Sequence, residues 1–184
     1  MAAVPGKSVV IEYLDHVEIG VCARTNRLGK CRGIRPFFAL ISKLGDGSFW
    51  AVLAMAVLLA QGPAVIPEII VTAVMTIAGV ILYKFLKRRL IRERPYVSAA
   101  GSDAGMEALT APLDRYSFPS GHTLHAVSLS MLLTHIEPML FFVAWPFAIL
   151  AALSRVILGL HYPSDVVVGA LIGAALATFG IYLM

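Results

Sequence analysis

The chain has 184 residues, enough for one domain, yet 59% are hydrophobic, only 14% are charged, and the mean hydropathy is +0.82. These values exclude an ordinary soluble composition and leave a lipid bilayer as the solvent. The net charge of +4 comes without a basic patch interleaved with stacking aromatics on a soluble domain. A nucleic-acid partner is therefore excluded, and membrane lipids or other anions are favoured.

In chain order, the opening residues lack a long apolar run followed by a small-residue cleavage site, so no removable signal peptide is expected. From Val9 to Leu28, apolar residues mix with Glu12, Asp15, His16 and Glu18. This pattern predicts a helix lying in the interface rather than a span, within an N-terminal interfacial region of residues 1–35. Cys22 and Cys31 match neither a zinc ligand set nor a disulfide framework. Phe37 to Leu44 is a short apolar run ended by the turn signal Gly45-Asp46-Gly47.

Ser48 to about Ala64 is a first membrane candidate, short against the ~20 residues a span needs. Ile66 to Tyr83 is a clearer one, bounded by the cationic stretch Lys84 to Arg94. Pro95 to Pro119, carrying Gly101, Gly105, Pro112 and Asp114, reads as a polar exposed loop. Thr123 to Ile136, Met139 to about Leu160, and Val166 to Met184 complete five hydrophobic segments, with a turn at Glu137-Pro138. The predicted fold is all-α: a single-domain integral membrane helical bundle, residues 1–184, of about five to six transmembrane helices.

Alternating spans put residues 84–119 and 159–164 on the same side as the N-terminus, and all fifteen Lys and Arg fall there. The positive-inside rule makes that side cytoplasmic, although cations kept for chemistry would bias the same count.

Three clusters share this face: Lys87 with Arg94-Pro95, Pro119-Ser120-Gly121-His122, and Ser154-Arg155 with His161 and Asp165. Lys87 and Arg94, seven apart, would project from one face of a helix and could grip a phosphate, or could serve as snorkelling anchors. Ser120 and Gly121 open a helix, where free N–H groups favour an anion and glycine permits close approach. Pro-Ser-Gly is also simply a helix start.

Two imidazoles near cations suit phosphoryl transfer, one as nucleophile and one as general acid. Asp165, four residues after His161, could fix its tautomer or merely complement a helix dipole. Arg155 interrupts an apolar span, a costly position that calls for a polar partner such as phosphate. Ser154 could support it or bond its own helix backbone. His125, one turn beyond His122, could touch substrate or pack between helices.

Taken together, Lys87-x6-Arg94-Pro95, Pro119-Ser120-Gly121-His122 and Ser154-Arg155-x5-His161-x3-Asp165 resemble the three-part signature of the type 2 phosphatidic acid phosphatase (PAP2) superfamily, with every position filled. The catalytic motif region is then 84–165. The resemblance implies His161 as nucleophile forming a phosphohistidine, Asp165 as its orienter and His122 as the acid. Lys87, Arg94, Ser120, Gly121 and Arg155 would bind phosphate. It also implies no metal and no other cofactor, so activity should survive EDTA.

The expected activity is hydrolysis of a lipid-linked phosphate monoester (phosphatidic acid or phosphatidylglycerol phosphate type) or of a prenyl diphosphate. The alternatives are a lipid phosphotransferase with the same nucleophile and a non-catalytic lipid-phosphate-binding protein. Vanadium haloperoxidases and soluble acid phosphatases share the superfamily, but the hydrophobicity argues against both. The cations Lys84, Arg88, Arg89 and Arg92 could hold a second phosphate. The location expected is a bacterial inner (plasma) membrane, multi-pass, with the active site on the cation-rich, cytoplasmic face.

Overall fold

The computed structural model describes the backbone of residues 9–99, 105–111 and 114–184, with side chains from residue 17 onward. Gly101, Pro112, Glu12, Asp15 and His16, noted above, lie outside the described side chains. The described residues form helices joined by turns and loops, with no strand among them. Helix α1 spans Val9–Gly29, α2 Ile34–Leu44, α3 Ser48–Gln61 and α4 Ile66–Arg89. A short α5 (Pro95–Ser98) precedes α6 (Gly121–Ile136), α7 (Phe141–Ile157) and α8 (Pro163–Leu183).

Local chemistry sets the boundaries. Gly47 at φ +143° and Gly62 at φ +73° bracket α3 in conformations that suit glycine. Pro63 then opens the 3₁₀ turn into α4. Pro138 starts another 3₁₀ turn before α7, and Pro163 sits in the first turn of α8. Helix α7 stops three residues before the expected Leu160, because Gly159 at φ +75° turns the chain.

Among the described residues, three stretches are long and apolar enough to cross a membrane: Ser48–Arg89, Pro138–Ile157 and Pro163–Leu183. The first, of 42 residues, is a hairpin, since Trp50 near the start of α3 and Lys87 near the end of α4 line one cavity. At the far end Gln61 Nε2 donates to the carbonyl of Ile136 at 3.3 Å, which aligns the C-termini of α3 and α6. Val52, Leu59, Ile77, Ile81, Phe142 and Leu171 are exposed. Such outward apolar faces belong to a helix bundle surrounded by lipid. The chain is an integral membrane protein.

Small residues bring α8 onto α6. A Cβ on Gly169 would stand 2.5 Å from the Ser120 carbonyl oxygen, and one on Gly173 2.3 Å from that of Leu124. With Ala177 these glycines form a stripe at four-residue spacing that lets two backbones touch. Elsewhere the core is aromatic and aliphatic: Phe49 stacks on Phe147 at 3.6 Å, and Trp50 meets Phe147 edge-on.

Helix α1 is riveted on rather than loosely laid. Asn26, fully buried, donates to the carbonyls of Glu107 (3.0 Å) and Ile157 (3.3 Å), and its Oδ1 accepts from the Glu107 N–H. One amide thus joins α1, the 105–111 segment and the end of α7.

Candidate active site

The C-terminal ends of α4 and α7, the N-terminal ends of α6 and α8 and the α2–α3 turn converge at one end of the bundle. There they enclose a cavity of about 210 Å³. Lys87, Arg94, Gly121, His122, Arg155 and His161 line it. Ser120 and Asp165 stand behind that wall, both fully buried.

Lys87, on the last turn of α4, pairs with Asp114 at 2.7 Å. Arg94 is not on the same helix face, as its spacing predicts. Helix α4 ends at Arg89, and Arg94 is extended (φ −76°, ψ 152°) because Pro95 disfavours helix at the residue before it. Its guanidinium still reaches the cavity, donating to the carbonyls of Leu160 (2.7 Å) and Asp114 (2.9 Å) and lying 3.5 Å from His161 Nε2.

Ser120 stands at the N-cap position of α6 without a side-chain cap bond; its N–H donates to the Asp165 carbonyl at 3.0 Å and its hydroxyl lies 3.0 Å from that of Thr123. Gly121 faces the Tyr83 ring, which a Cβ would approach to 3.3 Å. Arg155 is buried in the last turn of α7 and donates from Nη1 to Ser42 Oγ of α2. Ser154 bonds its own helix, donating to the Ala151 carbonyl at 2.6 Å.

His161 sits in the loop between α7 and α8, with its Nδ1 3.5 Å from Asp165 Oδ2 and no hydrogen bond formed between them. Burial, with the positive charges of Arg155, Arg94 and Lys87 added, pushes its imidazole well below the usual histidine range, which keeps it neutral. Asp165 is held firmly. Its Oδ2 accepts from the Tyr162 N–H at 2.9 Å, closing the first turn of α8, and its Oδ1 pairs with Arg92 at 2.5 Å.

Arg92 is not a phosphate ligand in waiting. Its guanidinium is buried against Asp165, Glu18 of α1 (2.8 Å) and the Ser164 hydroxyl (2.7 Å), and lies 4.0 Å over the Tyr162 ring. Lys84, Arg88 and Arg89 are exposed, whereas Arg92 is consumed.

Sequence reasoning missed Glu18, Ser42 and Asp46. Each is a single polar residue far along the chain from its partner, with no local spacing to mark it. Asp46, in the α2–α3 turn, brings Oδ1 to 2.5 Å from His122 Nε2. His125 lines the same cavity and meets Tyr83 edge-on with ring centres 5.8 Å apart.

Helical ends thus gather three cations and three imidazoles around one hollow. A family model, that of the PAP2 superfamily, matches residues 68–184, and the chain belongs to that superfamily. Among solved structures, it is similar to a transmembrane PAP2-type phosphatidylglycerolphosphate phosphatase from Bacillus subtilis. The TM-score is 0.69 at 21% identity, over 96% of this chain and 87% of that one. It is also similar to Aquifex aeolicus LpxE, with a TM-score of 0.66 at 26% identity over 90% and 95% of the two chains. A bacterial vanadium-dependent iodoperoxidase shares the fold at 16% identity (TM-score 0.72), with this whole chain covering 52% of that one.

Proposed function

We propose that the protein is a metal-independent lipid phosphatase, cleaving a lipid phosphate monoester or prenyl diphosphate through a phosphohistidine. The observation that carries this reading is the cavity itself. Lys87, Arg94 and Arg155 surround a neutral His161 at its polar end, while Trp50, Val80 and Leu129 extend its wall between the helices as a place for a lipid chain. The Bacillus subtilis neighbour, a phosphatidylglycerolphosphate phosphatase, acts on a substrate of this class.

In this mechanism the three cations and the Gly121 N–H hold the phosphoryl oxygens and spread the charge of the transition state. His161, with its proton on Nδ1 facing Asp165, attacks phosphorus through Nε2. The bond from phosphorus to the lipid oxygen breaks, and His122 gives that oxygen its proton. Water then attacks phosphorus, the N–P bond breaks, His122 takes the water proton and inorganic phosphate leaves. Five helices, α3, α4, α6, α7 and α8, cross a bacterial plasma membrane with the cavity at the cytoplasmic face. Lys84, Arg88 and Arg115 lie outside the cavity mouth, where they can meet anionic headgroups or a second phosphate.

Phosphate release by detergent-purified protein in EDTA, across diacyl lipid phosphates and polyprenyl mono- and diphosphates, tests this. Release by wild type and none by His161→Ala is expected, whereas activity retained in His161→Ala refutes the nucleophile. Transfer to an added lipid alcohol without free phosphate would make the enzyme a phosphotransferase. Labelling of a single cysteine placed in the 95–119 loop from outside intact cells would overturn the orientation.

A further inference from the structure

We infer that Asp46, which lies outside the three-part signature and before the matched residues, is the positioning residue of the acid: its carboxylate is the counter-ion that keeps His122 protonated for delivery to the leaving oxygen. This rests on the phosphatase reading above.

The setting makes a protonated imidazole hard to hold. His122 is largely buried, and around it stand Arg155 from α7, Lys87 from α4, and His161, all positive or neutral, with His125 on its own helix. Every charged neighbour but one disfavours a proton there. Among the described side chains lining the cavity, only Asp46 and Asp114 are carboxylates, and Asp114 is already paired with Lys87 at 2.7 Å. Asp46 remains, 2.5 Å from His122 Nε2.

The contact lies off the ring's N–H axis, so Nε2 makes no aligned hydrogen bond with Asp46 and its N–H is not consumed by it. A flanking carboxylate of this kind supplies charge and orientation and leaves the proton for another acceptor. The turn suits such a role: Gly45 and Gly47 flank Asp46, and Gly47 adopts a φ (+143°) suited to glycine, aiming a half-exposed carboxylate back into the site. In turnover His122 gives its proton to the lipid oxygen and recovers one from the attacking water. Asp46 stays ionised throughout and stabilises the charged imidazole before and after.

The test is the pH dependence of kcat for Asp46→Asn on two substrates. One is a diacyl lipid phosphate, whose alkoxide needs the acid, and the other an aryl phosphate such as p-nitrophenyl phosphate, whose leaving group does not. Loss of the counter-charge should move the alkaline limb for the lipid phosphate down by about one pH unit. Above that limb kcat should fall about tenfold, with the aryl phosphate almost unchanged. Asp46→Glu, which keeps the charge, should restore the limb.

Equal losses on both substrates with an unmoved limb would reduce Asp46 to a turn residue and overturn the inference. So would a gain of activity in Asp46→Asn, which would make the carboxylate a competitor of substrate. His161→Ala, assayed in parallel, separates the two claims. If it remains active the phosphohistidine reading fails, and if it is dead while Asp46→Asn behaves as wild type only the Asp46 role fails.

Discussion

Arg92→Met should be among the most damaging single changes in the molecule, although Arg92 is no member of the phosphate-binding signature. The substitution removes one partner from a buried cluster and leaves the Asp165 carboxylate fully enclosed and that of Glu18, 12% exposed, without their guanidinium. Orphaning a buried charge costs about 3–5 kcal/mol. At a few degrees per kcal/mol, that corresponds to a melting point lower by about 10 °C. Because Asp165 also closes the first turn of α8 and faces His161 Nδ1, kcat should fall with stability while KM changes little. Adding Glu18→Gln removes one of the stranded charges, so the double variant should melt higher than Arg92→Met alone. Thermal unfolding in detergent followed by intrinsic fluorescence, with phosphate release measured on the folded protein, gives both quantities. A variant with wild-type melting and kcat but a raised KM for diphosphates alone would refute this and return Arg92 to the substrate.

Gly173→Val should destabilise the protein by about 1–3 kcal/mol, since any Cβ there meets the Leu124 carbonyl oxygen at 2.3 Å; the same melting assay reads it. Asn26→Ala strands the carbonyls of Glu107 and Ile157 and should cost about 1–3 kcal/mol, with resistance to proteolysis of the 105–111 segment falling in parallel. His161 titrates well below 6.5 in the folded chain, so only the unfolded chain takes up its proton as the pH falls. Stability should therefore drop below pH 6.5 by at most about 1.4 kcal/mol per unit, and His161→Asn should flatten that slope. EDTA should leave phosphate release unchanged, as measured directly on the purified protein.

The hydrophobic segments were legible because a membrane helix writes its length and polarity into local composition, and α3, α4, α6, α7 and α8 fall close to their expected bounds. The motif residues were legible for a different reason: Lys87, Arg94, His122, Arg155 and His161 are chemically distinctive and stand at fixed spacings. Arg94 was misplaced onto a helix even though Pro95 signals an extended residue before it. The small-residue stripe Gly169, Gly173 and Ala177 went unread, though its spacing is that of a close helix pair. Nothing local announces Glu18, Ser42 or Asp46. Their partners lie many tens of residues away, and only the packing of α1 and α2 against the end of the bundle makes them part of the site.

That long-range supply bears on where the catalytic unit begins. The family match starts at residue 68, and every residue of the signature lies after it. A chain trimmed to the matched region would keep all the motifs. It would lose the Glu18 carboxylate beneath Arg92, the Ser42 hydroxyl on Arg155 and Asp46 against His122. Such a fragment would present a complete signature with its electrostatic scaffolding removed. Transplanting the motif region onto another membrane hairpin would leave all three contacts behind.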